Sequence, residues 1–158
     1  INSKFNEWLE EKKKEIKARF HADLPRGLVH GDIFYDNILF NEGSLAAILD
    51  FEEASDYYLV FDIGMCVIGT CAERGRISLP KVRSLVEGYQ NERELSKQEK
   101  ESLQTFVQYG AVATAFWRFK QYNIVNPDEN KSDKFREMKT LADYVASISP
   151  TEFQERTF

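Results

Sequence analysis

Residues 30–37 read His-Gly-Asp-Ile-Phe-Tyr-Asp-Asn, and residues 50–52 read Asp-Phe-Glu. This pattern places Asp32 on a tight loop, Asn37 five residues later, and Asp50 after a further apolar run. Phosphoryl transfer from ATP uses an Asp that accepts the proton of the attacking hydroxyl, then an Asn and a second Asp that hold magnesium. The order and spacing therefore predict a phosphotransfer site, with Asp32 as the catalytic residue and Asn37 and Asp50 as the Mg²⁺ ligands.

The segment between the two motifs predicts a β-hairpin. Residues 38–40 (Ile-Leu-Phe) and 45–49 (Leu-Ala-Ala-Ile-Leu) are apolar, and residues 41–44 (Asn-Glu-Gly-Ser) are turn formers. A hairpin here would return Asp50 to the side of Asn37. Mg²⁺ takes few protein carboxylates and completes its shell with waters and substrate phosphates, so two such oxygen ligands suffice. Asp and Asn are also common turn formers, but their order around a hairpin favours the phosphotransfer interpretation.

On these residues the chain resembles the aminoglycoside phosphotransferase and choline kinase branch of the kinase-like fold, whose signature is His-Gly-Asp, four residues, Asn and a later Asp. Several segments are most similar to the kinase-like homoserine kinases: residues 29–40, 48–51, 61–64, 85–90 and 115–118. The resemblance implies an α+β, mostly α, C-terminal lobe of the protein-kinase-like fold, with helices around a small β-hairpin. It also implies ATP and Mg²⁺ as cofactors and L-homoserine as the acceptor, giving O-phospho-L-homoserine on the route to threonine.

Five further residues are candidates for supporting or substrate roles. His30 is expected to steer the loop by hydrogen bonding, and by family resemblance Asp62 braces the same loop. Glu52 follows the metal Asp, where it would contact the metal or a cationic substrate group, or else be solvated; Glu53 is the weaker candidate. Arg118 offers a guanidinium that could bind a substrate carboxylate in a bidentate manner, although an exposed helical Arg is the commoner case.

We expect a single domain over residues 1–158, as a C-terminal lobe without its N-terminal nucleotide lobe. Its parts would be a leading helix and connector (1–27), the catalytic loop, hairpin and metal Asp (28–54), a helical subdomain (55–149) and a tail (150–158). Only 27 residues precede Leu28, too few for a nucleotide lobe, so the isolated chain is expected to show little or no catalysis. Residues 64–70 have the glycine spacing of a P-loop but lack its Lys, and they are predicted to be an apolar helix.

The remaining helices are predicted from periodicity and capping. Phe5, Trp8 and Ile16 recur at helical spacing in the leading helix, and Pro80 opens a helix that runs to about residue 91. Residues 96–99 form a capping box before a long core helix that ends near residue 123. In that helix the small side chains at 110, 113 and 114 allow close approach of another helix. Trp117, Arg118 and Tyr122 could face the acceptor cleft, although a core position is the favoured interpretation for Trp117. The last helix is predicted over 133–148.

Composition sets the outer limits. The chain has 158 residues, 42% of them hydrophobic, enough for one core. Its formal net charge is −5 and its basic residues are interspersed with acidic ones, which argues against a nucleic-acid partner. No apolar run reaches the ~20 residues of a membrane span, and the two cysteines fit reduced core thiols. We therefore expect a cytoplasmic protein. Its expected partners are ATP and a small-molecule hydroxyl substrate.

Two alternatives remain open from the sequence. The acceptor could instead be an aminoglycoside, choline or another amino alcohol, because only resemblance separates these substrates. The lobe could also be a pseudokinase or other non-catalytic binding module, although the presence of Asp32, Asn37 and Asp50 together argues against that reading.

Overall fold

The structure is a computed structural model that describes residues 3–21 and 23–158. Its helices are α1 (Ser3–Ala18), α2 (Leu59–Thr70), α3 (Leu79–Glu92), α4 (Lys97–Lys120), α5 (Phe135–Ser147) and α6 (Pro150–Thr157). Its strands are β1 (Arg26–Val29), β2 (Ile38–Asn41), β3 (Ser44–Ile48), β4 (Ser55–Tyr58), β5 (Ala72–Glu73) and β6 (Arg76–Ile77), paired antiparallel as β1 with β4, β2 with β3 and β5 with β6. The architecture is α+β and mostly α, as predicted.

Helix α4 is the centre of the core and packs against α2 and α5. Its N-terminus carries the predicted capping box, in which Ser96 Oγ accepts from the Glu99 N–H and Glu99 accepts from the Ser96 N–H. The α-helix ends at Lys120 and continues as a π-helical turn, Gln121–Val125. The predicted end near residue 123 therefore falls inside this turn.

Two glycines allow α2 and α4 to approach closely. A Cβ on Gly64 would lie 2.8 Å from the carbonyl carbon of Phe106, and a Cβ on Gly110 would lie 2.9 Å from the Met65 sulfur. The close approach predicted for α4 is confirmed at Gly110, whereas Ala113 and Thr114, predicted to share this role, line a cleft. The P-loop-like spacing of residues 64–70 also has its explanation, because this segment is helical and Gly64 serves helix packing.

Helix α1 is attached to the rest of the core by aromatic packing and a polar network. Phe5, Trp8 and Ile16 are buried, as predicted. The indole N–H of Trp8 donates to Asp143 Oδ1 at 2.8 Å, and the buried Lys12 lies 3.0 Å from Glu15 and 3.7 Å from Asp143. Glu11 also lies 3.7 Å from this ammonium. An ammonium with three carboxylate neighbours is a satisfied buried charge, and the contact with Asp143 joins α1 to α5.

Three sequence predictions are wrong. Residues 150–158 are not a tail: Ser149 caps α6, and Phe153 is completely buried. The segment 55–149 does not begin as helix, because residues 55–58 form β4 and pair with β1. Trp117 is not a core residue, since 53% of its surface is exposed. In each case a tertiary partner, or the lack of one, decided the outcome.

The β2–β3 hairpin is confirmed, but it lies at the surface and is not surrounded by helices. Its loop is Glu42-Gly43, with φ of 49° and 80°. Positive φ at both loop residues is the type I′ geometry that matches the twist of a two-residue hairpin. Large apolar side chains of the hairpin are exposed, including Leu39, Phe40 and Leu45.

Among the residues that the structure describes, 3–21 and 23–158, no helix is both long enough and apolar enough to cross a lipid bilayer.

Candidate active site

The loop that carries Asp32 is held by the carboxylate of Asp62, in the first turn of α2. The backbone N–H of His30 donates to Asp62 Oδ2 at 2.7 Å, and that of Gly31 donates to Oδ1 at 2.8 Å. Hydrogen bonds to an ionised acceptor are roughly twice as strong as neutral ones. One side chain on the helical core therefore fixes two consecutive peptides directly before Asp32, which is the supporting role expected for Asp62.

His30 connects the loop to the end of the hairpin. Its Nε2 donates to the carbonyl of Leu49 at 2.8 Å, and its Nδ1 accepts from the Asp32 N–H at 3.2 Å. A ring that donates from Nε2 and accepts at Nδ1 is the tautomer protonated on Nε2. The imidazole is buried against these backbone groups, so it has a structural role, as the sequence predicts.

Two glycines are needed for the loop to lie where it does. Gly31 has φ of 85°, and a Cβ there would lie 3.0 Å from the Glu53 carbonyl oxygen. A Cβ on Gly69 of α2 would lie 2.2 Å from the carbonyl oxygen of Ile33 and 2.8 Å from the Cα of Phe34. The loop that carries Asp32 thus rests directly on the backbone of α2, a contact that only glycine permits.

Asp32 and Asn37 are in direct contact. Asn37 Nδ2 donates to the Asp32 carbonyl at 2.9 Å and to Asp32 Oδ2 at 3.1 Å. Burial raises the pKa of Asp32 above its ordinary value, the Asn37 hydrogen bond opposes this shift, and the charges of Asp36 and Asp50 add to it. With its nitrogen engaged, the Asn37 amide keeps its Oδ1 oxygen as an acceptor for a cation.

Asp50 is brought to this corner by the backbone before it. The N–H of Leu49 donates to the Asn37 carbonyl at 2.9 Å, while the Leu49 carbonyl is bound by His30. Asp50 itself has φ of 62° and is exposed, a left-handed conformation that Asp tolerates better than most residues. The hairpin therefore returns the chain to Asn37, and the charge of Asp50 is close enough to raise the pKa of Asp32.

A metal at this corner would need ligands from outside the protein. Within residues 3–21 and 23–158, no three His, Cys, Asp or Glu side chains are grouped so that they could hold a metal ion. Mg²⁺ is commonly bound by one or two protein oxygens together with waters and phosphates. The Asn37 amide oxygen and the Asp50 carboxylate suit that kind of site.

A cleft of about 550 Å³ opens beside Asp32. Acidic side chains contribute much of its polar lining: Asp32, Asp36, Glu52 and Glu53. Its aromatic lining comes from the Asp32 loop, α2, α4 and the π-helical turn: Phe34, Phe61, Phe116, Trp117 and Tyr122. Of the predicted site residues, Asp32, Glu52 and Arg118 meet in this cleft, whereas Asn37 and Asp50 are not among its described lining residues.

Arg118 reaches the cleft from α4 and is held in place by α5. Its Nη1 donates to Glu137 Oε2 at 2.9 Å and to the Lys134 carbonyl at 3.4 Å. The guanidinium is thus partly neutralised, but all of its described hydrogen bonds use Nη1. The Nε and Nη2 groups remain as donors for a ligand.

The sequence reasoning did not single out Asp36 and Phe116. Asp36 lies in the 3₁₀ turn Tyr35–Asn37, four residues after Asp32, and lines the cleft with it. A short turn between the catalytic Asp and the Asn was the available signal. No comparable signal existed for Phe116, because helical periodicity does not say which exposed aromatic side chain faces a cleft.

A braced Asp loop beside a cleft, an Asn in contact with that Asp and a second Asp returned by a hairpin are the arrangement expected of a phosphotransferase. Residues 2–104 match the phosphotransferase enzyme family, and the chain belongs to this family.

Similar proteins include three bacterial homoserine kinases. That of Agrobacterium fabrum is 38% identical over 89 residues, which is 56% of this chain and 28% of the relative. That of Gluconobacter oxydans is 35% identical over 106 residues, or 66% of this chain and 33% of the relative. That of Rhizobium meliloti is 27% identical over 141 residues, or 87% of this chain and 43% of the relative. The chain therefore spans less than half the length of these relatives.

Proposed function

We propose that the full-length protein is a small-molecule kinase that transfers the γ-phosphoryl group of ATP to the hydroxyl of L-homoserine. The observation that carries this proposal is the Asp32–Asn37 contact on a loop braced by Asp62 and His30. Family membership and the homoserine kinase relatives support the reaction class and the acceptor. The product would be O-phospho-L-homoserine, an intermediate on the route to threonine.

Asp32 would orient the acceptor hydroxyl and take its proton. The hydroxyl oxygen forms the new bond to the γ-phosphorus while the bond from that phosphorus to the bridging oxygen breaks, and ADP leaves. Little covalent work is asked of the protein, so positioning and charge stabilisation supply most of the rate. Because the loop is fixed to α2 by hydrogen bonds and backbone contact, Asp32 is held ready for this role.

Asn37 and Asp50 would hold Mg²⁺, through the amide Oδ1 and the carboxylate. When bound, the ion neutralises charge on the nucleotide phosphates. The donor set fits a hard cation that prefers oxygen ligands. Asp50 lies at the end of an exposed hairpin, on the side where a nucleotide would have access.

The cleft offers complementary groups for an amino-acid acceptor. Arg118, through its Nε and Nη2 donors, would bind the carboxylate, and Glu52 would receive the ammonium group. The pairing of Arg118 with Glu137 keeps the guanidinium in one orientation, which favours bidentate binding. Arg118→Ala should raise KM for L-homoserine while KM for ATP stays constant; an unchanged KM for the amino acid would rule this role out.

A further lobe would complete the nucleotide site and cover the hairpin. The side chains of Leu39, Phe40 and Leu45 are exposed on the hairpin that leads to Asp50, and exposed apolar side chains grouped on one element are typical of an interaction site. The relatives are more than twice as long as the segments matched here. We expect the isolated 158-residue chain to have little or no activity and the full-length protein to be active.

The test is ADP release by the full-length protein with Mg·ATP and a panel of acceptors. L-homoserine should be preferred over choline, other amino alcohols and aminoglycosides. Asp32→Asn should lower kcat by about 10²- to 10⁴-fold, the usual contribution of a general base. Asp133→Asn, at an exposed residue in the turn before α5, should leave kcat unchanged. Preference for another acceptor would change the substrate, and no turnover with any acceptor would favour a non-catalytic binding module.

A further inference from the structure

The long helix of the core ends in an arrangement that packing does not explain. Phe116 and Trp117 are 46% and 53% exposed, although α4 is otherwise the most buried helix of the core. Both side chains line the cleft next to Asp32. Large apolar surface left exposed beside a candidate catalytic residue indicates contact with a ligand.

The π-helical turn that follows α4 brings a third aromatic ring to the same place. A π-helical turn has a wider repeat than an α-helix, so it changes the direction of the side chains that follow, and such turns are frequent at functional sites. Here it contains Tyr122, whose ring centroid lies 6.0 Å from that of Trp117 with the planes at 84°. This edge-to-face pair forms one corner of the cleft.

The backbone around Tyr122 is fixed from several directions. The Tyr122 carbonyl accepts from the Asp128 N–H at 3.0 Å, and Asn123 Nδ2 donates to the carbonyls of Phe119 at 3.1 Å and Ser132 at 3.0 Å. The Lys131 ammonium lies 5.4 Å from the centroid of the Tyr122 ring. A ring held in this way forms a rigid boundary of the cleft, and an acceptor must fit within that boundary.

The sizes of the cleft-lining side chains along α4 indicate that the Trp117 and Tyr122 rings limit the length of the acceptor. Ala113 and Thr114 are small cleft-lining residues, and Trp117 follows about one turn later. With a rise of about 1.5 Å per residue, Tyr122 lies on the order of 12 Å beyond Thr114 along the helix. The cleft is therefore open above small side chains and bounded by large rings towards the C-terminal end of α4.

We propose that Trp117 and Tyr122 set the upper length of the acceptor and thereby select a short amino alcohol over longer homologues. This inference rests on the proposed function, since it concerns the acceptor of that reaction. Neither ring supplies a proton or a metal ligand. They act by occupying the volume that additional methylene groups would need.

The primary experiment compares two acceptors in the full-length protein: four-carbon L-homoserine and its six-carbon homologue, 6-hydroxy-L-norleucine. Trp117→Ala and Tyr122→Ala should raise the kcat/KM ratio of the longer to the shorter acceptor by about tenfold or more, the size of effect that one or two methylenes have in a pocket. Trp117→Phe should have an intermediate effect. Ile124→Ala, an exposed apolar residue on the same turn outside the cleft lining, is the matched control and should leave the ratio unchanged. Equal losses for both acceptors would overturn the proposal.

A binding measurement separates this inference from the transfer reaction. Saturating L-homoserine should change the fluorescence of Trp117, identified by the loss of the change in Trp117→Phe; the chain's other tryptophan, Trp8, is buried in the core. The longer acceptor should bind more weakly, and Tyr122→Ala should remove that difference. If the protein binds L-homoserine in this way but transfers no phosphoryl group, the proposed reaction is wrong, while the role of Trp117 and Tyr122 in limiting acceptor length is retained. The proposal is overturned if calorimetry shows that L-homoserine binds without a change in Trp117 fluorescence, or if L-homoserine does not bind at all.

Discussion

The region that carries the candidate active site, residues 28–58 (the catalytic region), and the helical region, residues 59–158, are stabilised in different ways. Between residues 28 and 58 only Val29 and His30 are buried, whereas more than half of α4 is buried. The catalytic region also contains four residues with positive φ: Gly31, Glu42, Gly43 and Asp50. Burial of apolar surface therefore stabilises the helical region, while the catalytic region has little of it.

The difference shows how an exposed site can still be well ordered. The catalytic loop is attached to the core at a few points: the Asp62 carboxylate, the His30 ring and the backbone contact at Gly69. Each attachment involves atoms within a few residues of Asp32. Changes at these points should lower activity as well as stability, whereas changes in the helical region away from these points should lower stability alone.

The largest effect is expected for Gly69→Ala. The new Cβ would lie 2.2 Å from a backbone oxygen of the catalytic loop, so the loop or the helix must move. Overpacking of this kind costs about 1–3 kcal/mol, and a displacement of about 1 Å at a reacting group lowers turnover by about 10²-fold. ADP release and urea unfolding followed by circular dichroism measure the two effects.

Gly88→Ala is the matched control for Gly69→Ala. A Cβ at Gly88 would meet nothing within 4 Å, and the residue lies inside α3. Ala is favoured over Gly in a helix interior by about 0.5–1 kcal/mol. This variant should be slightly more stable and fully active; a Gly69→Ala variant that behaves like it would mean that α2 does not position the loop.

The next effect is expected for Asp62→Asn. The amide can accept from only one of the two N–H groups of His30 and Gly31, and it removes the charge that strengthens both hydrogen bonds. We expect a loss of about 1.5–3 kcal/mol in the unfolding free energy and a lower kcat. Asp56→Asn, which breaks an exposed ion pair with Arg26, should lose less than about 1 kcal/mol. Equal effects of the two substitutions would show that Asp62 is not a special attachment point.

A smaller effect, confined to stability, is expected for Glu99→Gln in the helical region. Glu99 is completely buried and serves both the capping box and the ion pair with Arg93. Burial tends to raise its pKa, but the hydrogen bonds from Arg93 and Ser96 outweigh this and the net shift is downward. We expect a loss of about 1–2 kcal/mol in unfolding free energy at pH 7, with kcat and KM unchanged.

The pH dependence of that loss follows from the sign of the shift. A carboxylate whose folded pKa lies below its ordinary value of 4.5 stabilises the fold fully above that pH, and the contribution is lost as pH falls through the folded pKa. The stability difference between the wild type and Glu99→Gln should therefore shrink below about pH 4.5. Glu101→Gln, an exposed residue of the same helix, should show no such trend.

The sequence predicted well where local signals and tertiary structure agree. The capping box of α4, the β2–β3 hairpin and the apolar face of α1 were all predicted, because caps, turn residues and periodicity specify them locally. The bracing by Asp62 and the structural role of His30 were predicted from family resemblance together with loop chemistry. The convergence of Asp50 and Asn37 on a metal stays a prediction.

Features that depend on distant partners could not be predicted. The segment 150–158 is short and mostly polar. Its helix, α6, is stabilised by burial of Phe153 in the core and by two hydrogen bonds from Arg83 to carbonyls at the end of the helix. β4 needs β1 as its partner, and the exposure of Trp117 depends on the cleft beside it. In all three cases the deciding contact lies many residues away in sequence.

The smallest effect is expected at the tip of the hairpin, with Glu42→Asn. Glu42 has φ of 49°, and a left-handed conformation is unfavourable for most residues but tolerated by Asn. Asn-Gly is also the preferred pair for a type I′ loop, so the variant should be more stable by about 0.5 kcal/mol, with activity unchanged. Gly43→Ala tests the same strain in the opposite direction, because its φ is 80° and a Cβ there would meet nothing within 4 Å; it should be destabilised by about 1 kcal/mol. If neither variant changes the unfolding free energy, the hairpin tip is not coupled to the cooperative unfolding of the rest of the chain, and the contrast between the two regions is sharper than the burial pattern alone implies.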